Sequence, residues 1–490
     1  VTPLASQVAE WVASVRYEDL PVDVVSSTKL RILDVLGLAL AGAETSFGRS
    51  TIAAAVSLSP PGPARIFGSG NAIAAPTAAF ANASLSQALE YDDTHNESIV
   101  HMSSPAVAAS LALADLLGAL SLDSARDGAE PVEGPSRERE GGRAVTGRDL
   151  ILSIAVANEI SCRVGSVSSG QFHRRGFHPT GLFAPFGIAA GIGKMLGLDA
   201  QRLAWAEGTA GSCAAGLLEC WVDGTQTKFL HSGFAAQSGL TAALLAHAGV
   251  SGPPNVFEGR FGLFASHLQD PATPRSFGRI ADRLGSHWES RNSSFKPFPT
   301  AHVLHPYVSA ILRVRNQHGV RAADVVRIEC PVAEFNVSIV CEPVAEKCAP
   351  ATQAHCRVCL QYTMAEALYS GGIGKNAYSD ATRLNPEVLA LARKVDYVVD
   401  PSFPGPGRFK GAVKVTLKDG RVIEEVEEYN RGSEENPMSE AELRAKFDDN
   451  ASGFLSAAQR DRLAQEIARA ENLSDVRTLV DLSCRAGLAL

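Results

Sequence analysis

Glu90-Tyr-Asp-Asp-Thr-His-Asn-Glu-Ser-Ile-Val-His101 places four carboxylates, two imidazoles and three hydroxyls in twelve residues. The stretches on either side, Ala74 to Leu89 and Pro105 to Leu120, are small and apolar and read as core helices. Buried polar groups are costly unless paired or used. The polar stretch is therefore either a solvated helix end or part of a site held between helices. With the upstream helix running through Leu89, Glu90, Asp93 and Thr94 fall at i, i+3 and i+4 on one face. His101 follows after a short turn, and the set suits acid–base work.

Outward from this stretch the chain reads as mostly α. Helices are expected over Leu4 to Val15, Val22 to Ala43, Asp149 to Val167, Phe183 to Leu196, Asp199 to Cys220 and Ser232 to Ala248. Many of these are rich in Ala, Gly and Ser, which suits close packing. Residues 121–147 hold Asp, Glu, Arg, Gly and Pro and read as a mobile surface insertion. From Ser294 the texture changes. Tyr307 to Asn316 reads as a helix, Val325 to Glu329 alternates as a strand, Gln361 to Tyr369 reads as a helix, and Ala412 to Val426 reads as a hairpin turning at Asp419-Gly420. Ser439 to Phe447, Ser456 to Ala470 and Asp475 to Cys484 return to helix. The expected organisation is a helical domain over 1–292, an α+β domain over 293–435, and C-terminal helices over 436–490 that fold back on the first domain.

Three further polar islands precede or follow small-residue helices. Gln171-Phe-His-Arg-Arg-Gly-Phe-His-Pro-Thr-Gly181 sets Arg174, Arg175 and His178 ahead of a helix start, an arrangement suited to carboxylate recognition. Lys228 and His231 open an Ala- and Ser-rich helix, and Lys296 lies in Phe295-Lys-Pro-Phe-Pro299. Four such islands suggest one cavity between two domains. Its inventory of carboxylates, imidazoles and cations suits proton transfer beside carboxylates, where positive charge stabilises an enediolate-like anion. The alternative for each island is a solvated basic loop, a satisfied core histidine or a snorkelling lysine. The chain holds no GxSxG, Walker A or HExxH motif and no GxGxxG after a strand.

A net charge of −8 and a pI near 5.9 weigh against nucleic acid or an anionic membrane as the main partner. Nine scattered cysteines read as reduced and intracellular, with the cytoplasm the expected compartment. The single CxxC, Cys356 and Cys359 with Cys348 and His355 nearby, is a weak zinc signal, and no metal is expected. The long uncharged runs Ile66 to Leu89 and Phe229 to Phe257 carry Asn, Gln, His and Pro and read as buried helices rather than membrane spans.

Taken together, these residues resemble the MmgE/PrpD family. The resemblance rests on Leu33-Asp-Val-Leu-Gly-Leu-Ala-Leu-Ala-Gly42, Ala88-Leu-Glu-Tyr-Asp-Asp-Thr-His95, Gly176-Phe-His-Pro-Thr-Gly181, Thr227-Lys228 with His231-Ser-Gly-Phe-Ala-Ala-Gln-Ser-Gly239, Lys296-Pro-Phe-Pro299 and Asn436-Pro-Met-Ser439. It spans nearly the whole chain. It implies a large all-α domain formed by both chain ends, a smaller α+β lid, a homodimer and a cofactor-free site at the domain interface. It carries site roles to Glu90, Thr94, His101, His178, Lys228 and Lys296. Members include 2-methylcitrate dehydratase, cis-aconitate decarboxylase and iminodisuccinate epimerase. Two departures stand out. The spacing from Thr94 to His101 is one residue longer than in the animal decarboxylases, and Phe335 stands where those enzymes carry a tyrosine.

The resulting expectation is a lyase on a small di- or tricarboxylate, with dehydration of a 2-methylcitrate- or alkylcitrate-like acid ahead of decarboxylation and epimerisation. Lys228, Lys296, Arg174, Arg175 and His231 would hold carboxylates. Either His101 or His178 would move the proton at the carbon α to a carboxylate, and the other would protonate the leaving hydroxyl. Glu90 or Asp93 would orient an imidazole, with Thr94 facing the substrate. The competing class is a non-catalytic helical scaffold that binds an anionic metabolite.

Overall fold

The computed structural model of the protein describes residues 2–126, 144–405 and 407–484. It is mostly helical. The elements that position the site are α1 (Val22–Ala43), α2 (Ala75–Gln87), α3 (Ser103–Arg126), α4 (Gly147–Gly165), α5 (Pro179–Met195) and α6 (Thr227–His247). Two large apolar cores hold most of the buried apolar residues among those described. One gathers Ala5 through Trp288 together with Phe447 through Val480. The other gathers Leu304 through Leu417.

Small residues let the helices of the first core touch backbone to backbone. A Cβ on Gly187 of α5 would lie 2.1 Å from the Ala157 carbonyl oxygen of α4. One on Gly233 of α6 would lie 2.6 Å from the Phe80 carbonyl oxygen of α2. Any side chain at either point would push the helices apart. Thr146 and Asp149 form a reciprocal capping box that starts α4. Pro179 sits at the first position of α5, with His178 immediately ahead as the N-cap residue. One helix among the described residues, Gly147–Ser168, is long and apolar enough to cross a bilayer, and its apolar window is wholly buried.

The second core lies under a four-stranded sheet. With β1 (Thr94–His95) and β2 (Ser293–Ser294) forming a separate short pair, the sheet comprises β3 (Val325–Val332), β4 (Val395–Val399), β5 (Gly411–Leu417) and β6 (Val422–Glu427), in the order β4-β3-β5-β6. β3 pairs parallel with β4 and antiparallel with β5. The β5–β6 hairpin turns at Gly420, whose φ of +87° suits glycine. Helices α7 (His305–His318) and α8 (Leu360–Ser370) contribute buried residues to this core. β4 was not expected from the sequence.

Other differences from the sequence reading have physical causes. The helix after the first island runs to Arg126, past the expected end at Leu120, and the rest of the expected insertion over 127–143 lies outside the described residues. The expected helix from Asp199 to Cys220 stops at Gly211, where the chain enters turns. Gly216 in that turn region has φ of +149°, which favours glycine.

A C-terminal helix, α9 (Glu440–Ala451), clamps the first island from behind. Its buried Lys446 Nζ donates to Asp34 Oδ2 of α1 at 3.0 Å and to the Tyr91 carbonyl at 2.8 Å, and lies 4.0 Å from the Tyr91 ring centroid. Removing one partner of such a buried pair strands the other charge. Lys446→Ala is expected to lower the unfolding free energy by about 3–5 kcal/mol in urea denaturation. The double change Asp34→Asn with Lys446→Met is expected to lose less.

Candidate active site

The site begins where α2 ends. The helix stops at Gln87, two residues short of the expected Leu89, and Glu90 takes a left-handed φ of +54°. This turn breaks the helical periodicity. Glu90, Asp93 and Thr94 therefore do not share a helix face. The chain instead continues into β1, whose register pairs Thr94 with Ser294 and His95 with Ser293. That pairing fastens the first island to the Lys296 island, two residues beyond Ser294.

Glu90 is the hub. Its carboxylate accepts from Lys228 Nζ in a buried ion pair, its other oxygen lies 3.9 Å from Lys296 Nζ, and its main-chain carbonyl accepts from Lys296 at 3.1 Å. Burial alone would raise the Glu90 carboxyl, but Lys228 and Lys296 outweigh it and hold it below the usual range. Burial pulls Lys296 down to about 8, against the attraction of Glu90 and Asp92. Burial pushes Asp92 up to about 7 despite Lys296. At neutral pH the two lysines thus face an ionised Glu90 and a partly protonated Asp92.

The imidazoles complete it. His101 Nδ1 lies 3.0 Å from the Asp93 carbonyl, 3.2 Å from Thr94 Oγ1 and 3.4 Å from Asp92 Oδ1. Its main-chain N–H donates to Thr180 Oγ1 of α5 at 2.9 Å. The His101 and His178 ring centroids are 5.6 Å apart, and His178 Nδ1 lies 3.0 Å from His231 Nδ1. Burial first, then Lys296 and Lys228, hold His101 well below its ordinary value. Burial and then Lys228 do the same to His178, and bring His231 to about 4. All three rings are neutral at pH 7.

The structure thus brings Glu90, Thr94, His101, His178, Lys228, His231 and Lys296 together. It leaves out three expected members. Asp93 points away from the cluster, into a buried ion pair with Arg31 and a 2.5 Å bond from Ser103 Oγ. It cannot orient an imidazole through its carboxylate, because that carboxylate is already engaged elsewhere. Arg174 and Arg175 are exposed and line an outer cavity of about 980 Å³. Trp221 and His355 border both this vestibule and the narrow gap beside Glu90 and Lys228.

Two further groups belong to the cluster. Asp92 sits against His101 and accepts from Ser104 Oγ at 3.0 Å. Its neighbour Asp93 looked the better placed only on a continued helix. Buried Arg357 donates to the Leu89 and Pro299 carbonyls, both at 2.7 Å, and so ties together the two islands that carry Glu90 and Lys296. No local sequence signal marks Arg357; it stands inside the CxxC. There Cys359 Sγ donates to the His355 carbonyl at 3.0 Å, and among the described residues no three His, Cys, Asp or Glu side chains form a metal-ligating group.

Residues 6–275 match the MmgE/PrpD N-terminal domain, and residues 298–472 match the MmgE/PrpD C-terminal domain. The chain belongs to the MmgE/PrpD family. Among curated relatives, a cis-aconitate decarboxylase of Aspergillus terreus is 26% identical over 98% of this chain and 95% of its own length. The cis-aconitate decarboxylase of Homo sapiens is 29% identical over 69% of each chain. A mitochondrial 2-methylcitrate dehydratase of Yarrowia lipolytica is 33% identical over 14% of each chain. These relatives are enzymes, and their reactions are decarboxylation and dehydration by name.

The charge state of this MmgE/PrpD site fixes the direction of its pH dependence. Raising the pH ionises Asp92 near 7 and neutralises Lys296 near 8, and both changes disfavour an anion. Calorimetric affinity for citrate or tricarballylate is expected to fall as pH rises from about 6.5 to 9. Lys296→Met is expected to bind weakly throughout and to lose the step near 8. An affinity independent of pH across that window would contradict this assignment.

Proposed function

We propose that this chain is a cofactor-independent lyase for a small tricarboxylate, and specifically a carboxy-lyase for a cis-aconitate-like acid. The observation that carries the reading is the buried pair of neutral imidazoles, His101 and His178, set beside Lys228 and Lys296. The similarity to cis-aconitate decarboxylases along almost the entire chain supports the choice of reaction.

In this reading Lys228 and Lys296 hold the carboxylates that stay on the substrate. Cleavage of the carbon–carboxylate bond leaves an electron pair on carbon, which an unsaturated acid spreads towards a neighbouring carboxylate. The two ammonium groups stabilise that developing charge in a water-poor site, where such interactions are strong. An imidazole then supplies the proton that replaces carbon dioxide. Glu90 holds Lys228 and Lys296 in place, and Thr94 and Asp92 hold His101.

The second reading is a hydro-lyase on a 2-methylcitrate-like acid. Phe335 favours it: this side chain, which borders the vestibule, has no hydroxyl where the animal decarboxylases carry a tyrosine. A base and an acid side by side also suit loss of water.

Incubation with cis-aconitate, citrate and 2-methylcitrate separates the two readings when carbon dioxide release and water loss are followed independently. The expected result is carbon dioxide from cis-aconitate. Lys228→Ala and His178→Ala are each expected to lower kcat/KM on the order of 10²-fold or more. Water loss without carbon dioxide would favour the second reading. No turnover of any carboxylate would sink both.

A further inference from the structure

His231 looked from the sequence like a substrate ligand. The structure gives it a different partner. It stands one turn after Lys228 on α6, and its Nδ1 meets the Nδ1 of His178 at 3.0 Å. Both residues are buried, with 4% of His231 and 1% of His178 exposed. The backbone holds the pair in register. The His178 N–H donates to the Gly216 carbonyl at 2.9 Å, and a Cβ on Gly216 would lie 3.4 Å from His231 Cγ and 3.5 Å from His178 Cβ.

A neutral imidazole carries one N–H, on Nδ1 or on Nε2. Two neutral rings that meet Nδ1 to Nδ1 share one proton between those atoms, so the tautomer of one dictates the tautomer of the other. Burial and Lys228 keep both rings neutral. His101 has no such choice. Its Nδ1 faces the Asp93 carbonyl, which only accepts, and so Nδ1 carries the proton and Nε2 presents a lone pair. In its neutral form His101 is a base and not a proton donor. The second ring nitrogen of His178, Nε2, is buried and has no hydrogen-bond partner among the described residues.

We propose that His231 is a positioning residue that donates its Nδ1–H to His178 Nδ1 and thereby holds His178 as the Nε2–H tautomer, the proton donor of the site. This rests on the lyase reading above and assigns its two imidazoles opposite duties. In a decarboxylation the carbon–carboxylate bond breaks, carbon dioxide leaves, and its electron pair stays on carbon. The His178 Nε2–H bond then breaks as the new C–H bond forms. His178 Nδ1 takes the proton from His231 Nδ1, and His231 Nε2 takes one from water, so neither ring becomes an anion. Once product leaves, a proton from water enters at His178 Nε2, the Nδ1 proton returns to His231, and His231 Nε2 releases its own. Over the cycle one proton passes from water to product, as replacement of a carboxylate by hydrogen requires.

The test is a long-range 1H–15N spectrum of the full chain carrying 15N-histidine, with His101, His178 and His231 assigned by single substitution. In the unliganded wild type, His101 is expected as the Nδ1–H tautomer, His178 as Nε2–H and His231 as Nδ1–H. His178 protonated on Nδ1 would overturn the proposal without any variant. In His231→Phe, His178 is expected to become a mixture of tautomers. On the turned-over carboxylate, kcat is expected to drop on the order of 10²-fold with KM within about twofold. His231→Asn places an amide N–H near the lost donor and is expected to restore the Nε2–H tautomer and part of kcat. A rise in KM at unchanged kcat in His231→Phe would make His231 a substrate ligand and overturn the proposal. The spectrum reads the tautomers even if no carboxylate is turned over. Absence of turnover beside an Nε2–H His178 would therefore fault the lyase reading and leave the positioning role standing.

Discussion

Everything in the site depends on the buried ion pair between Glu90 and Lys228, with Lys296 drawn onto the carbonyl of the same glutamate. Taking such charges out of water is expensive, and their mutual attraction repays the cost only with good geometry and further hydrogen bonds. Here the charges come from three separated segments of chain. Holding them together forces α2 to stop before Glu90, puts Glu90 in a left-handed conformation, and requires β1 to pair with β2. Arg357 ties the two sides through main-chain carbonyls, and Lys446 braces the island from behind through Asp34 and the Tyr91 carbonyl. The result is a cluster in which two lysines face an ionised Glu90 and a partly protonated Asp92 at neutral pH. It sits beside three uncharged imidazoles.

The surrounding helices make this placement possible by being plain. Glycine at 187 and 233 lets α4, α5, α6 and α2 approach until backbone meets side chain at contact distance. Close-packed interiors of this kind are stiff. His178 at the N-cap of α5 and Lys228 in the first turn of α6 are therefore fixed by the same packing that builds the core. The vestibule lies outside this rigid part, with Arg174 and Arg175 at its wall.

Much of this is readable in the amino-acid sequence. Small-residue helices with polar islands at their ends announce a mostly α chain, and Glu90, Thr94, His101, His178, Lys228, His231 and Lys296 converge in one buried cluster. The remainder depends on features that periodicity does not carry. A single left-handed residue at Glu90 exchanges the roles of Asp92 and Asp93: the first faces His101, and the second is spent on Arg31. Arg174 and Arg175 look equal to the lysines in sequence, yet Arg174 ends a short helix, Arg175 is its C-cap, and both are exposed. Arg357 serves two carbonyls, a contact between distant segments that no spacing announces. The His178–His231 pair joins two helices in the same way.

The central claim is that the Glu90, Lys228, Lys296 and His101/His178 cluster is the place where a small tricarboxylate binds. A structure of the full chain with tricarballylate, a saturated acid with no hydroxyl to lose, tests it directly. The account predicts at least one carboxylate within hydrogen-bond reach of Lys228 or Lys296 Nζ, with the carbon skeleton beside the His101 and His178 rings. A ligand held only by Arg174 and Arg175 in the vestibule, with the inner cluster unaltered, would contradict it.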